Sequence, residues 1–125
     1  MTDERPRLER LAIAVPDLDL WVGRWETILG PEFDLFTVNL GGDDVRVGIH
    51  PAGIELLEVP GGEPRLRSFH LRVRDIDAAA VAFEELGWPV TPMGEIRGRR
   101  QSVVAADGLR VVLVEIVEGV EGVDA

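Results

Sequence analysis

The sequence predicts an α+β domain in which one βαβββ unit is used twice. A strand-like run at residues 8–15 and a helical pattern closing at Gly30 are answered by a strand-like run from Ser68 and a helical pattern closing at Gly87. Asp17 and Asp75 lie 58 residues apart and the closing glycines 57 apart. Self-similarity over nearly half a chain marks a duplicated supersecondary unit. Each unit opens on a period of two, the spacing of a half-buried strand, and passes at an aspartate to the period of an amphipathic helix. Three short apolar runs separated by turn-forming residues then follow each helix.

In the first unit Leu11, Ile13 and Val15 form the apolar row of the opening strand, with Arg10, Ala12 and Ala14 on the opposite row. Asp17 is the expected N-cap, its carboxylate accepting from a first-turn N–H that has no partner within the helix. Leu18, Trp21, Val22, Trp25, Ile28 and Leu29 share one helical face, and Gly30 suits the left-handed backbone that closes a helix. Strands are expected at 33–40, 45–50 and 54–58, with turns at 41–44 and 51–53. Residues 60–64 (PGGEP) read as a linker. In the second unit Phe69, Leu71 and Val73 oppose Ser68, His70 and Arg72, and Asp75 is the cap. Ile76, Ala79, Ala80, Phe83 and Leu86 line the helix, and strands are expected at 90–93, 101–105 and 109–116. The units run from about 8 to 59 and about 66 to 117 within a single domain of 125 residues, and the acidic, Gly-rich tail at 118–125 is expected to fray.

Composition narrows the partners. A formal net charge of -10 argues against nucleic acid and anionic membrane, both of which need Lys/Arg-rich surfaces. It leaves room for an anionic small molecule held by a local arginine cluster. With no cysteine there is no disulfide framework, thiolate metal site or thiol nucleophile. The charged start lacks the apolar core of a signal peptide, and no apolar run approaches the ~20 residues needed to span a bilayer. A soluble, cytoplasmic protein is expected.

The order of these elements, with the runs 11–19 (LAIAVPDLD), 53–60 (GIELLEVP), 73–77 (VRDID) and 107–110 (DGLR) and the pairs Leu29-Gly30 and Leu86-Gly87, resembles the vicinal oxygen chelate (glyoxalase/bleomycin-resistance/dioxygenase) superfamily. The resemblance covers residues 8–117. It implies a cupped mixed sheet with the helices on its outer face, a homodimer, and a small organic ligand in the cup. Metal enzymes of this superfamily place one ligand on each of four inward strands. Those positions fall here on Arg10, Glu55, Ser68 and Val112. Only Glu55 keeps a ligand, and Arg10 is a permanently charged donor. No cofactor is therefore expected, although two good donors, Glu55 and His70, leave an atypical divalent site open.

His70 lies two residues beyond Ser68, so strand parity places it on the same face. With Glu55 it is an acid–base candidate, or else a buried histidine satisfied by its neighbours. Arg10, Arg72 and Arg110 share that parity and could clamp a carboxylate, enolate or phosphate, or pair with internal carboxylates instead. The basic run 95–100 (EIRGRR) is expected to be a loop, either anion-attracting or simply solvated. Trp21 and Trp25 read as core or interface packing, Trp88 as a lid over the core, and His50 as exposed. The function expected is ligand sequestration, resistance or a biosynthetic step without the usual metal. The alternatives are a lyase or isomerase working through Glu55 and His70, or a scaffold without ligand chemistry.

Overall fold

The opening alternation forms β1 (Arg7–Val15), and Asp17 caps α1 (Leu18–Leu29) by accepting from the Leu20 N–H at 3.2 Å. β2 (Asp34–Leu40), β3 (Asp43–His50) and β4 (Ile54–Glu58) complete the first unit. The second unit repeats the order as β5 (Arg65–Val73), α2 (Ile76–Glu85), β6 (Val90–Ile96), β7 (Arg99–Ala106) and β8 (Leu109–Glu115). Asp75 caps α2 by accepting from the Ala78 N–H at 3.1 Å. This computed structural model describes residues 5–116, and the tail at 118–125 lies outside the described residues. The chain divides into two compact units, residues 10–67 and residues 68–116 with 5–9. Among the described residues no helix is long and apolar enough to cross a membrane.

Each unit is a four-stranded mixed sheet. In the first, the order is β2-β3-β4-β1, with β2/β3 and β3/β4 antiparallel and β4/β1 parallel. In the second, β6-β7-β8-β5 has the same pattern. The register repeats as well: Ala12 stands opposite Glu55, and His70 opposite Val112. On one face of each sheet a row of large apolar side chains meets the apolar stripe of the helix. Ile13, Val15, Ile54 and Leu56 meet Leu18, Trp21, Val22 and Trp25. Phe69, Leu71, Val73, Val104, Val111 and Leu113 meet Ile76, Ala79 and Phe83. Leu56 and Leu113, at equivalent places, are both fully buried, and each such side chain stabilises the fold by ~1.5–3 kcal/mol. The first sheet has a second apolar cluster on its other face, formed by Ala12, Ala14, Val47 and Leu57 with Phe36, Val38, Val45 and Ile49.

A charged device is duplicated at the helix starts. Helix N-termini expose N–H groups and the positive end of the helix dipole. The Glu58 carboxylate accepts from the Leu18 N–H at 2.8 Å, while Arg46 bridges Asp19 (2.7 Å) and Glu58 (3.4 Å). In the second unit Glu115 accepts from the Ile76 N–H at 3.1 Å, while Arg100 bridges Asp77 (2.7 Å) and Glu115 (3.7 Å). The Asp77 carboxyl is held below its ordinary range by the hydrogen bond and charge of Arg100.

The run 95–100 is not a loop. It is the tip of the β6/β7 hairpin, turning on Arg97 (φ 53°) and Gly98 (φ 81°), and two successive positive-φ residues match the twist of a two-residue hairpin. Arg99 reaches Glu9 at 2.7 Å and the Glu115 carbonyl at 3.2 Å. These arginines close the hairpin and the helix cap. Trp88 stacks on Phe83 at 6.2 Å and its indole N–H donates to Asp107 at 3.0 Å, the lid expected of it.

Candidate functional site

On the face of the first sheet turned away from α1, Arg10 of β1 reaches Glu55 of β4. The Arg10 Nε lies 2.6 Å from the Glu55 Oε1, and each side chain is only 11% exposed. The setting is apolar: Ala12 and Ile49 stand directly opposite Glu55 on its two flanking strands. A short, charge-assisted bond in such surroundings is strong, and breaking it leaves a stranded charge.

The face of the second sheet turned away from α2 carries the other predicted residues. Ser68, His70 and Val112 are all buried, with His70 and Val112 paired across β5 and β8. Arg110, opposite Ala105 and two residues before Val112, shares this face. Arg72 stands opposite Val114 and faces Glu9 Oε1 at 3.7 Å. The structure thus joins Arg10 to Glu55 in one unit and assembles Ser68, His70, Arg72, Arg110 and Val112 on one face of the other.

No family model matches this sequence, and no curated protein matches it. Solved structures do. The crystal structure of methylmalonyl-CoA epimerase from Mycobacterium tuberculosis superposes with a TM-score of 0.65 at 20% identity, covering 92% of this chain and 91% of that one. The hypothetical protein BH1468 from Bacillus halodurans C-125 gives 0.68 at 18% identity, covering 90% and 96%. A mutant of 4-hydroxymandelate synthase from Streptomyces coelicolor gives 0.67 at 15% identity, covering 92% of this chain and 50% of that longer one. The chain has the vicinal oxygen chelate fold.

Vicinal oxygen chelate enzymes that use a divalent ion need oxygen and imidazole donors at four positions, and the donor set here does not fit one. At the four positions that the resemblance implies, Arg10 is a guanidinium bonded to the single carboxylate, Glu55, and the other two residues are a serine and a valine. Among the described residues no group of three or more His, Cys, Asp or Glu side chains is placed to hold a metal ion.

One buried residue, Gln101, was missed from sequence, and another, His50, was misplaced. Gln101 is only 7% exposed and stands opposite Val114 on the His70 face. Its signal was the alternation of β7, where a glutamine falls in line with Val103 and Ala105. His50, expected to be exposed, is buried. The Ala52 N–H donates to His50 Nδ1 at 3.0 Å, so the ring proton sits on Nε2, which donates to the Gly30 carbonyl at 3.2 Å. Phe33 packs edge-on against the ring at 5.1 Å. The tight turn after β3 points an otherwise unpaired backbone N–H at the imidazole, and burial follows from satisfying it.

Proposed function

We propose that this protein binds a small organic molecule without the divalent metal used by metal enzymes of its fold, in sequestration, resistance or a biosynthetic step. The Arg10–Glu55 pair carries the reading. A guanidinium already supplies the positive charge beside the carboxylate, and it can donate hydrogen bonds to a ligand oxygen where a metal would accept its lone pair. The test is a titration with Zn²⁺, Ni²⁺, Co²⁺ and Mn²⁺ followed by thermal melts and calorimetry. No stoichiometric binding and no rise in Tm are expected, because stabilisation requires preferential binding to the folded state. Tight one-to-one binding that disappears in Glu55→Ala would overturn it.

One observation favours a lyase or isomerase as the second reading: an ionisable imidazole, His70, is 5% exposed beside the buried Ser68 hydroxyl on the face away from α2. On that reading His70→Gln removes turnover of a bound compound while leaving its affinity within a few-fold.

A further inference from the structure

One register row on the second sheet runs Arg72, Val114, Gln101, Gly94 across β5, β8, β7 and β6, on the face away from α2. The equivalent row of the first sheet is Ala14, Leu57, Val47, all apolar and buried. The strand scaffold therefore requires neither an arginine nor a glutamine at these places. We infer that Arg72 and Gln101 form a subsite for the carboxylate of a ligand with an apolar body. This rests on the small-molecule reading above and names the class of molecule.

Four features support it. The Arg72 Nε is buried and makes no hydrogen bond, and the Glu9 oxygen it faces at 3.7 Å is taken at 2.7 Å by Arg99. Two guanidiniums thus converge on one carboxylate oxygen, and the Arg72 side chain remains 34% exposed, so a second carboxylate can reach it. Gln101 lies two strands away, about 10 Å between backbones, and its buried amide offers N–H donors to the same anion. Beyond it the β6 strand is bulged and carries Gly94 at φ +82°, where an added Cβ would meet nothing within 4 Å. Between the two polar groups lies buried Val114, with Val112 beside it, and such apolar surroundings strengthen a charge-assisted bond.

The test uses benzoate, phenylacetate and 4-phenylbutyrate against their primary amides, by calorimetry and thermal shift, on wild type, Arg72→Gln and Gln101→Glu. At least one carboxylate should bind wild type about tenfold or more tightly than its amide, the usual scale of a charge-assisted contact. Arg72→Gln should remove that preference by weakening the carboxylate alone, and Gln101→Glu should reverse it. If amides bind wild type as tightly as carboxylates, the subsite is refuted and small-molecule binding stands. A preference that survives in Arg72→Gln also refutes the subsite. If no probe binds at millimolar concentration, both readings fall. The wild-type comparison decides the matter even if a variant does not fold.

Discussion

Removing one partner of the Arg10–Glu55 pair should cost far more than removing both. The bond is 2.6 Å long and each side chain is 11% exposed. Breaking a buried pair from one side costs about 3–5 kcal/mol, because the surviving charge keeps its desolvation penalty. Arg10 and Glu55 each keep a further interaction, which places the expectation for Glu55→Leu or Arg10→Met at about 2–4 kcal/mol. For a domain of this size that is a fall in Tm of about 10 °C. The double variant Arg10→Met/Glu55→Leu puts two apolar side chains beside Ala12, Leu57 and Ile49 and should return to within about 1 kcal/mol of wild type. Urea unfolding followed by circular dichroism gives all four corners of the cycle, and a coupling energy of about 2 kcal/mol or more is expected. Single variants as stable as wild type, or a double variant as unstable as the sum of the two, would refute a desolvated pair. If the double variant folds but no longer responds to small molecules, the pair is retained for recognition.

His50→Ala should lower the urea midpoint by the equivalent of about 2–3 kcal/mol, since it strands the Ala52 N–H and the Gly30 carbonyl together; a near-neutral result would contradict the assigned hydrogen bonds. The Asp77 carboxyl is held low by Arg100, so its contribution is present above the unfolded value of about 3.8 and lost as pH falls through the lowered folded value. Asp77→Asn should therefore melt slightly below wild type at neutral pH and converge on it as the pH falls through that lowered value; a gap that widens in acid would contradict the sign. The resemblance to two-module proteins of this fold predicts a homodimer, so light scattering at high micromolar concentration should give twice the 13.7 kDa chain mass. A monomer mass refutes it.

The fold was legible because its two periods and its caps are local. Asp17 and Asp75 accept the bonds expected of them, and the apolar rows face the helices where parity placed them. Strand ends were less so: β6 and β7 extend to Ile96 and from Arg99, because Arg97 adopts positive φ, which a reading based on glycine and asparagine does not anticipate. Charge partners were hidden for a different reason. Arg46 and Arg100 look like solvated residues until the register brings Glu58 and Glu115 beside the helix starts, and no local pattern reports a contact that spans 39 residues of sequence, as that from Ile76 to Glu115 does.

The duplication separates architecture from chemistry. Where both copies keep the same residue, the role is structural in each: Asp17 and Asp75 cap, Glu58 and Glu115 hold the helix starts, Arg46 and Arg100 lock those carboxylates, and Leu56 and Leu113 fill the cores. The copies part at Arg10 against Ser68, Ala12 against His70, Ala14 against Arg72, Val47 against Gln101 and Glu55 against Val112. All of these lie on the faces turned away from the helices. A buried polar side chain set where the other copy tolerates an alanine or a valine brings a desolvation cost that the βαβββ scaffold does not demand. Glu55, Ser68, His70 and Gln101 carry that cost on the faces away from the helices. Buried His50 and Ser102 carry it on the helix-facing rows, where the other copy has Val104 and Gly48, and His50 is satisfied there by two backbone partners. The larger share on the faces away from the helices, at Arg10, Glu55, His70 and Gln101, is the physical ground for proposing ligand recognition there.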